Sequence, residues 1–372
     1  MANTTDAEKS TKKRDVSGNA TAGRLVLMRG NEAIGEAAII AGCRHYFGYP
    51  ITPQNEIPAY MAMRLPKVGG CFIQAESEIA AINMVFGAAA AGARAMTSSS
   101  SPGISLKMEG VSYLSGAELP AVVVNMMRGG PGLGNISGSQ GDYFQAVKGG
   151  GHGDYRCIVL APSTVQELAD LTVKAFDLAD QYRMVVILLG DGYTGQMSEP
   201  IVLPQPSGRS FDKSGWALTG AKARDTHLIA SMRLHPEDAL AKLNDKLQAK
   251  YREIERTERL WEEVQTADAQ YLLVAFGLCA RICRAAVSSL RKSGIKAGLF
   301  RPITLWPFPA AELAAAASGK KRLLVVEMNA GQMLEDVKLA VGAGVPLDFY
   351  GAMGGMTPLV DDIMERIEAY AS

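Results

Sequence analysis

What the chain lacks narrows its chemistry first. It has no excess of either charge: 38 Lys and Arg balance 38 Asp and Glu over 372 residues. A neutral chain offers polyanions no broad field, which disfavours nucleic acid as a partner and leaves only a local patch as a route. No run reaches the ~18 apolar residues of a membrane span, although 48% of the residues are hydrophobic. The N-terminus, MANTTDAEKSTKKRDVSGNATAG, has no apolar signal core. Residues 1–23 are therefore expected to form a disordered tail on a cytoplasmic protein. Cysteines are few: Cys43, Cys71, Cys157, Cys279 and Cys283. Only the last two are close, at i,i+4 on a helix-like segment, and no CxxC or ferredoxin spacing occurs. Neither an iron–sulfur cluster nor another metal is expected on this chain, and scattered buried cysteines suit a reducing cytoplasm.

What is there alternates. Helix-like segments cover Ala33–Ala41, Gln54–Arg64, Glu78–Ala93, Ser105–Leu114 and Thr164–Gln181. Between them lie strand-like runs at Tyr46–Gly48, Cys71–Gln74, Ala95–Thr97, Ala121–Met126, Cys157–Leu160 and Met184–Leu189. Strands alternating with helices predict βαβ units and a mostly parallel sheet. Runs such as AVVVNMM and MVVILLG are apolar throughout, as strands covered on both faces must be. Residues 201–268 break the pattern. LPQPSGRSFDKSG is loop chemistry, and HPEDALAKLNDKLQAKYREIERTERLWEEV reads as a charged helix with Pro236 at its first turn. Its stripe of Leu240, Leu243, Leu247 and Ile254 makes it either an arm between domains or partners, or a solvated surface helix. From 269 the alternation resumes through YLLVAFG, a helix ending at Gly294, IKAGLFRPI, RLLVVEM and PLDFYG, which predicts a second, smaller α/β domain over 269–372.

In an open parallel sheet, ligands bind beyond the carboxyl ends of the strands. That rule selects Tyr49, Pro50 and Thr52, then Glu76, Ser77 and Glu78, then Ser98 to Ser101 with Pro102, and finally Arg128 followed by GGPGLG. Thr52-Pro53 and Ser101-Pro102 also read as helix caps followed by proline. Glu76 and Glu78 also fit a solvated first turn. Glu78, however, opens EIAAINMVFGAAAAGA, too apolar and small-sided to face water, and a carboxylate there is costly without a task. Arg128 beside glycines suits an anion, because its rigid fork pairs bidentately and glycine lets backbone approach. GGPGLG fails as a dinucleotide fingerprint, since a proline interrupts it and no helix follows directly. Gly190-Asp191-Gly192 imitates a metal–diphosphate motif, yet the next asparagine is Asn244, so it reads as a strand-end turn.

GYPITPQNEI, QAESEIAAINMVFGAAAAGARAMTSSSSPGISL, GAELPAVVVNMMRGGPGLG and SQGDYFQAVKGGGHGDY together resemble the α-subunit-type chain of 2-oxoacid:ferredoxin oxidoreductases. The likeness runs first to the 3-methyl-2-oxobutanoate enzymes and next to the 2-oxoglutarate enzymes. FRPITLWPFP and VVEMNAGQMLEDVKLAV resemble that family's transketolase-C-like domain. The resemblance implies a pyrimidine-type thiamine diphosphate domain over 24–200 and a transketolase-C-like domain over 269–372. It implies a thiamine diphosphate site shared with a β-type subunit that carries the diphosphate motif, Mg²⁺ and a [4Fe-4S] cluster. γ-type and ferredoxin-like small subunits, coenzyme A, a 2-oxoacid and ferredoxin as acceptor complete the set. By motif, Glu78 would share a proton with the pyrimidine N1′, Thr52 would bond the substrate, and Arg128 would pair with its carboxylate. Tyr49, Pro50, Ile51, Ser100 and Ser101 would line the cofactor. Pro50 and Pro53 would pre-set the backbone so that Thr52 faces the substrate. Two alternatives stand beside this: a non-catalytic assembly subunit, or half of a thiamine-dependent decarboxylase or synthase site.

Overall fold

The computed structural model describes residues 25–222 and 224–371; the expected tail lies outside the described residues. The first half runs β1 (Leu25–Arg29), α1 (Gly30–Ile40), β2 (His45–Gly48), α2 (Glu56–Arg64), β3 (Cys71–Gln74), α3 (Glu78–Ala90), β4 (Ala95–Ser99), α4 (Ser101–Gly116) and β5 (Ala121–Met127). It continues through α5 (Tyr143–Lys148), β6 (Ile158–Leu160), α6 (Val165–Tyr182), β7 (Val185–Asp191), α7 (Gly192–Gln196) and β8 (Ser198–Val202). After α8 (Ala239–Thr257) come β9 (Trp261–Val264), β10 (Tyr271–Val274), α9 (Gly277–Lys292), β11 (Ala297–Pro302) and β12 (Thr304–Trp306). The chain ends with α10 (Ala310–Ala317), β13 (Arg322–Glu327), α11 (Gln332–Val341), β14 (Leu347–Gly351) and α12 (Val360–Ala371).

The architecture is α/β with two largely parallel sheets. Seven strands lie in the order β12-β6-β7-β5-β4-β2-β3, parallel except for β12. Five lie in the order β14-β13-β10-β11-β9, parallel except for β9. Every residue of β5 and β7 is buried, so helices cover both faces of the first sheet's centre. In β10 the alternation divides two cores. Leu272 and Val274 join the large core, while Tyr271 and Leu273 join a second one with α9 and α12. Helix starts follow their caps: Ser77 accepts from Ala80 N at 3.2 Å ahead of α3, and Thr164 from Glu167 N ahead of α6.

Several expectations shift. Helix α4 begins at Ser101 rather than Ser105, so Ser101 lies in its first turn and Ser100 stands at the cap position with no side-chain cap bond. Helix α2 begins at Glu56 with Asn55 before it, so Thr52-Pro53 is not a helix cap. Helix α8 begins at Ala239, because Pro236 sits in a turn in which its carbonyl accepts from Ala239 N. This helix is not merely solvated. Leu243, Leu247, Tyr251 and Ile254 are buried in the large core, whereas Leu240 is 50% exposed. Lys250 and Lys246 bond Glu118 from the same helix. The antiparallel ribbon of β1 and β8, the short β9, and β12 on the edge of the first sheet were not foreseen.

Candidate active site

The carboxyl ends of β2, β4 and β5 converge on one edge of the first sheet. Arg128 follows β5 and is only 6% exposed. Its guanidinium donates through Nη1 to the carbonyl of Thr52 at 3.0 Å and through Nη2 to that of Leu133 at 2.9 Å. Nε has no partner. Among the described residues no carboxylate lies within ion-pair distance of this side chain. A buried cation held by neutral carbonyls keeps its full charge for an anion.

The same arginine fixes the loop after β2. The carbonyl of Pro53 accepts from Asn31 Nδ2 at 2.8 Å and Gln196 Nε2 at 3.0 Å, and that of Tyr49 accepts from Gln54 Nε2 at 3.4 Å. Thr52 is thereby clamped by its backbone while its side chain remains exposed, accepting only a long 3.4 Å bond from Asn55. Tyr49 and Pro50 are exposed and Ile51 half-buried at the head of this loop. Thr52, Pro53, Glu56, Ile136, Tyr193 and Met197 line a hollow of about 580 Å³.

Ser101 ties α4 to Arg128. Its hydroxyl accepts from Arg128 N at 3.0 Å and donates to Asp142 at 2.6 Å. Asn125 donates to the same Asp142 oxygen at 2.9 Å. Burial pushes the Asp142 carboxyl above its usual range, against the pull of these two bonds. The hydroxyl of Ser101 thus orders the protein itself. Ser100 is fully buried with an unpartnered hydroxyl.

Glu78 heads α3 and is 6% exposed. Its carboxylate packs over Gly103 in the first turn of α4. A Cβ at 103 would fall 2.5 Å from Glu78 Oε1 and 2.1 Å from Ser99 Oγ, so any side chain there would push both groups aside. Among the described residues none donates a hydrogen bond to Glu78, and the buried Ser99 Oγ beside it is also unpartnered. Buried polar groups in proteins are nearly always paired. A carboxylate and a hydroxyl left open together fit a ligand that brings its own ring N–H or nitrogen, as an aminopyrimidine does. Glu76 is exposed and lies outside α3.

Asp191 does something else. Its Oδ1 accepts from the amides of Tyr193 and Thr194 at 3.0 Å, and Oδ2 from the Thr194 hydroxyl at 2.8 Å. It caps α7 at the end of β7, as a strand-end turn does.

Sequence reasoning missed Lys107, which is fully buried on α4 and donates to Thr97 Oγ1 at 2.9 Å. Its position, i+3 from Ile104 and i−4 from Val111 in a buried stripe, was the available signal. Sequence reasoning also missed the seam behind the site. Gln140 is bonded by Met328, Asn329 and Phe276, and Gln332 bonds Gly141 and Phe144. The loop after Arg128 is therefore anchored on the second sheet's side.

Comparison with known proteins identifies the family. Residues 36–266 match the thiamine diphosphate-binding domain of pyruvate flavodoxin/ferredoxin oxidoreductase, and residues 269–363 match core domain II of pyruvate:ferredoxin oxidoreductase. The chain is 50% identical to the ketoisovalerate oxidoreductase subunit VorB of Methanothermobacter thermautotrophicus, across 93% of this chain and 97% of that one. It is 37% identical to the 2-oxoglutarate synthase subunit KorA of the same organism, across 91% and 97%. Among solved structures, the 2-oxoglutarate:ferredoxin oxidoreductase of Magnetococcus marinus, with 2-oxoglutarate, coenzyme A and succinyl-CoA bound, superposes with a TM-score of 0.85 at 28% identity. That match covers 94% of this chain and 65% of that one. With the family match spanning residues 36–266 and a relative at 50% identity over nearly the whole chain, this protein belongs to the thiamine diphosphate-binding family of 2-oxoacid oxidoreductase subunits.

Proposed function

We propose that this chain supplies the pyrimidine-side half of a thiamine diphosphate site in a 2-oxoacid:ferredoxin oxidoreductase. The complex converts a 2-oxoacid and coenzyme A to acyl-CoA and CO₂, with two electrons passed to ferredoxin. The observation that carries this reading is the open carboxylate of Glu78, joined through the first turn of α4 to the Arg128–Thr52 clamp. The bound cofactor supplies a carbon nucleophile for the keto group and an electron sink for loss of CO₂. Glu78 holds and returns the proton at ring N1′. Arg128 receives the substrate carboxylate and Thr52 bonds it or the keto oxygen. Tyr49, Pro50, Ile51, Ser100 and Ser101 form the wall around them. The unpartnered hydroxyl of Ser100 supports a contact role for that residue, and the bonds of Ser101 a positioning one.

The pyrimidine-type domain spans 24–200, a linker with the charged helix spans 201–268, and the transketolase-C-like domain spans 269–372. The diphosphate, its Mg²⁺ and the [4Fe-4S] cluster belong to a β-type partner, with γ-type and ferredoxin-like subunits completing a cytoplasmic complex. Asp191, consumed by the α7 cap, supports the assignment of the diphosphate to the partner. Among the described residues no helix is long and apolar enough to cross a membrane.

The hollow beside Thr52 favours a branched alkyl tail over a second carboxylate. Pro53, Ile136, Tyr193 and Met197 line it, and none of its lining residues is cationic. Its one charge, Glu56, already pairs with Arg29. The test is coenzyme A-dependent viologen reduction by the assembled complex, run across pyruvate, 3-methyl-2-oxobutanoate and 2-oxoglutarate. Preference for 3-methyl-2-oxobutanoate is expected. Preference for 2-oxoglutarate overturns the substrate reading, and no turnover of any favours the assembly-subunit alternative.

A further inference from the structure

The loop that follows Arg128 has little of its own to hold it in place. Residues 130–136 are exposed, Leu133 at 79% and Ile136 at 63%, so no apolar anchor seats it. Gly132 and Gly134 both adopt positive φ, and a Cβ at 134 would fall 1.7 Å from the Gly129 carbonyl oxygen. Such glycine-rich backbone is conformationally permissive. Yet this loop carries the Leu133 carbonyl that accepts from Arg128 Nη2, and its return, Ile136 to Gly138, forms one wall of the hollow beside Thr52. Its placement must therefore come from hydrogen bonds.

Asn135 makes most of them. Its backbone N donates to the Gly129 carbonyl at 2.9 Å, and its Oδ1 accepts from Ser137 N at 3.0 Å. The Ser137 carbonyl in turn accepts from Gly129 N at 2.9 Å, which closes the loop on itself. Asn135 Nδ2 then donates at 2.8 Å to the carbonyl of Gly354, in the connection between β14 of the second sheet and α12. The fit at this seam is close. A Cβ at Gly355 would fall 2.5 Å from Ser137 Cβ, and one at Gly129 would fall 2.7 Å from Asn135 Oδ1. The Tyr193 hydroxyl, from the wall of the same hollow, donates to the Gly355 carbonyl. A line of contacts thus runs from Gly354 through Asn135 and the Leu133 carbonyl to Arg128, and from Arg128 to the Thr52 carbonyl.

We propose that Asn135 is a positioning residue for the substrate carboxylate site: by tying its loop to the Gly354 turn, it holds the Leu133 carbonyl where that carbonyl fixes the Arg128 guanidinium, and with it the Thr52 loop. The second sheet's side of the molecule thereby takes part in substrate binding without touching the substrate. The inference rests on the reading of Arg128 as the partner of the 2-oxoacid carboxylate, but its first readout needs neither substrate nor cofactor.

In the full chain without ligand, amide hydrogen exchange reports the clamp. Gln54 N donates to the Ile51 carbonyl at 3.2 Å inside the loop after β2. Asn135→Ala should speed exchange of that amide about fivefold, the equivalent of one neutral hydrogen bond, although the two residues are far apart in the chain. Unchanged exchange there overturns the proposal. In the assembled complex, followed by viologen reduction, Asn135→Ala should raise the 2-oxoacid KM about fivefold while kcat and the coenzyme A KM stay within about twofold, the pattern of weakened ground-state binding. In an Arg128→Met background the same substitution should leave that KM unchanged, because residues that act through one another are not additive. An equal rise in both backgrounds overturns the proposal, since the loop would then act independently of Arg128. Gly355→Ala opens the same seam from the other side and carries the test if Asn135→Ala fails to fold. If Arg128→Met raises the 2-oxoacid KM while Asn135→Ala moves neither quantity, the reading of Arg128 stands and the role of Asn135 falls. If Arg128→Met leaves that KM unchanged while Asn135→Ala still speeds exchange at Gln54, the line of contacts stands, and the carboxylate reading of Arg128 falls and the proposal with it.

Discussion

Replacing Arg128 by methionine isolates one charge of known surroundings. The native guanidinium donates to two backbone carbonyls, Thr52 at 3.0 Å and Leu133 at 2.9 Å, and its Nε is unpartnered. A substrate carboxylate would gain a charge-assisted contact worth about 1.5–3 kcal/mol. Taking ~3 kcal/mol for a contact inside a nearly closed site gives a loss of roughly 10²-fold in kcat/KM, at 1.4 kcal/mol per decade. The fold suffers less. Two carbonyls lose their donor, at about 1 kcal/mol each in a position that water can reach, but an uncompensated buried cation is removed as well. A net destabilisation below about 2 kcal/mol is expected. Arg128→Lys keeps the charge but not the fork and should fall between, near tenfold. Steady-state viologen reduction by the assembled complex measures the first quantity, and urea unfolding of the chain the second. A methionine variant within a factor of about three of native kcat/KM would refute the role, because even a single charge-assisted bond exceeds that. A collapse in stability with KM unchanged would assign Arg128 to the loop alone.

Three further outcomes follow from the same contacts. Glu78→Gln should slow C2-proton exchange of the bound cofactor by roughly 10²-fold or more, as loss of a positioned acid–base group does; Glu76→Gln, exposed and outside α3, should leave it near native, and the reverse result would move the assignment by two residues. The chain alone should bind thiamine diphosphate weakly and without magnesium dependence, because Asp191 is committed to the α7 cap; tight, magnesium-dependent binding by calorimetry would contradict this. Burial pushes Glu327 up to about 7, from 4.5, despite bonds from Asn329, Met333 and Leu334. The folded chain then binds this proton more tightly than the unfolded one, so the contribution to stability is full below about pH 4.5 and is lost as pH rises through about 7; urea midpoints measured from pH 5 to 8.5 should decline more for the native chain than for Glu327→Gln.

The first sheet was legible because its strands are apolar on both faces and short. AVVVNMM and the VVILLG of β7 admit no reading but covered strands, and both lie at the centre of the sheet. What escaped is the set of elements defined by partners far along the chain. IKAGLFRPI reads as one strand and is one, β11, but the pairing changes after Pro302. β11 stays in the second sheet, while Thr304–Trp306 crosses to pair antiparallel with β6. Trp306 is what the crossing buries, edge-on to Tyr251 of α8 at 5.7 Å. WEEV, read as helix, leaves α8 because Trp261 is also buried, where β9 pairs with β11. Local pattern cannot see such choices, since the alternatives differ only in which distant surface receives the ring.

The site divides along the same line. Glu78, Thr52 and Arg128 stood out because each occupies a strand end or helix head whose chemistry is unusual for its place. The reason Thr52 is rigid did not. Two prolines beside a threonine suggest a backbone stiffened from within. The structure shows the loop held from outside. The carbonyls of Thr52 and Pro53 are taken by Arg128, Asn31 and Gln196, which lie 76, 22 and 143 residues away. Pro50 and Pro53 fix φ and remove two N–H groups that would otherwise need partners, but they supply none of the donors. Orientation of the hydroxyl is therefore a tertiary property, set by the same guanidinium that is proposed to receive the substrate carboxylate. Arg128 couples the two, so a carboxylate drawing its Nη1 away from the Thr52 carbonyl would loosen the hydroxyl at the moment of binding. One that leaves Nη1 on the Thr52 carbonyl would keep the clamp intact.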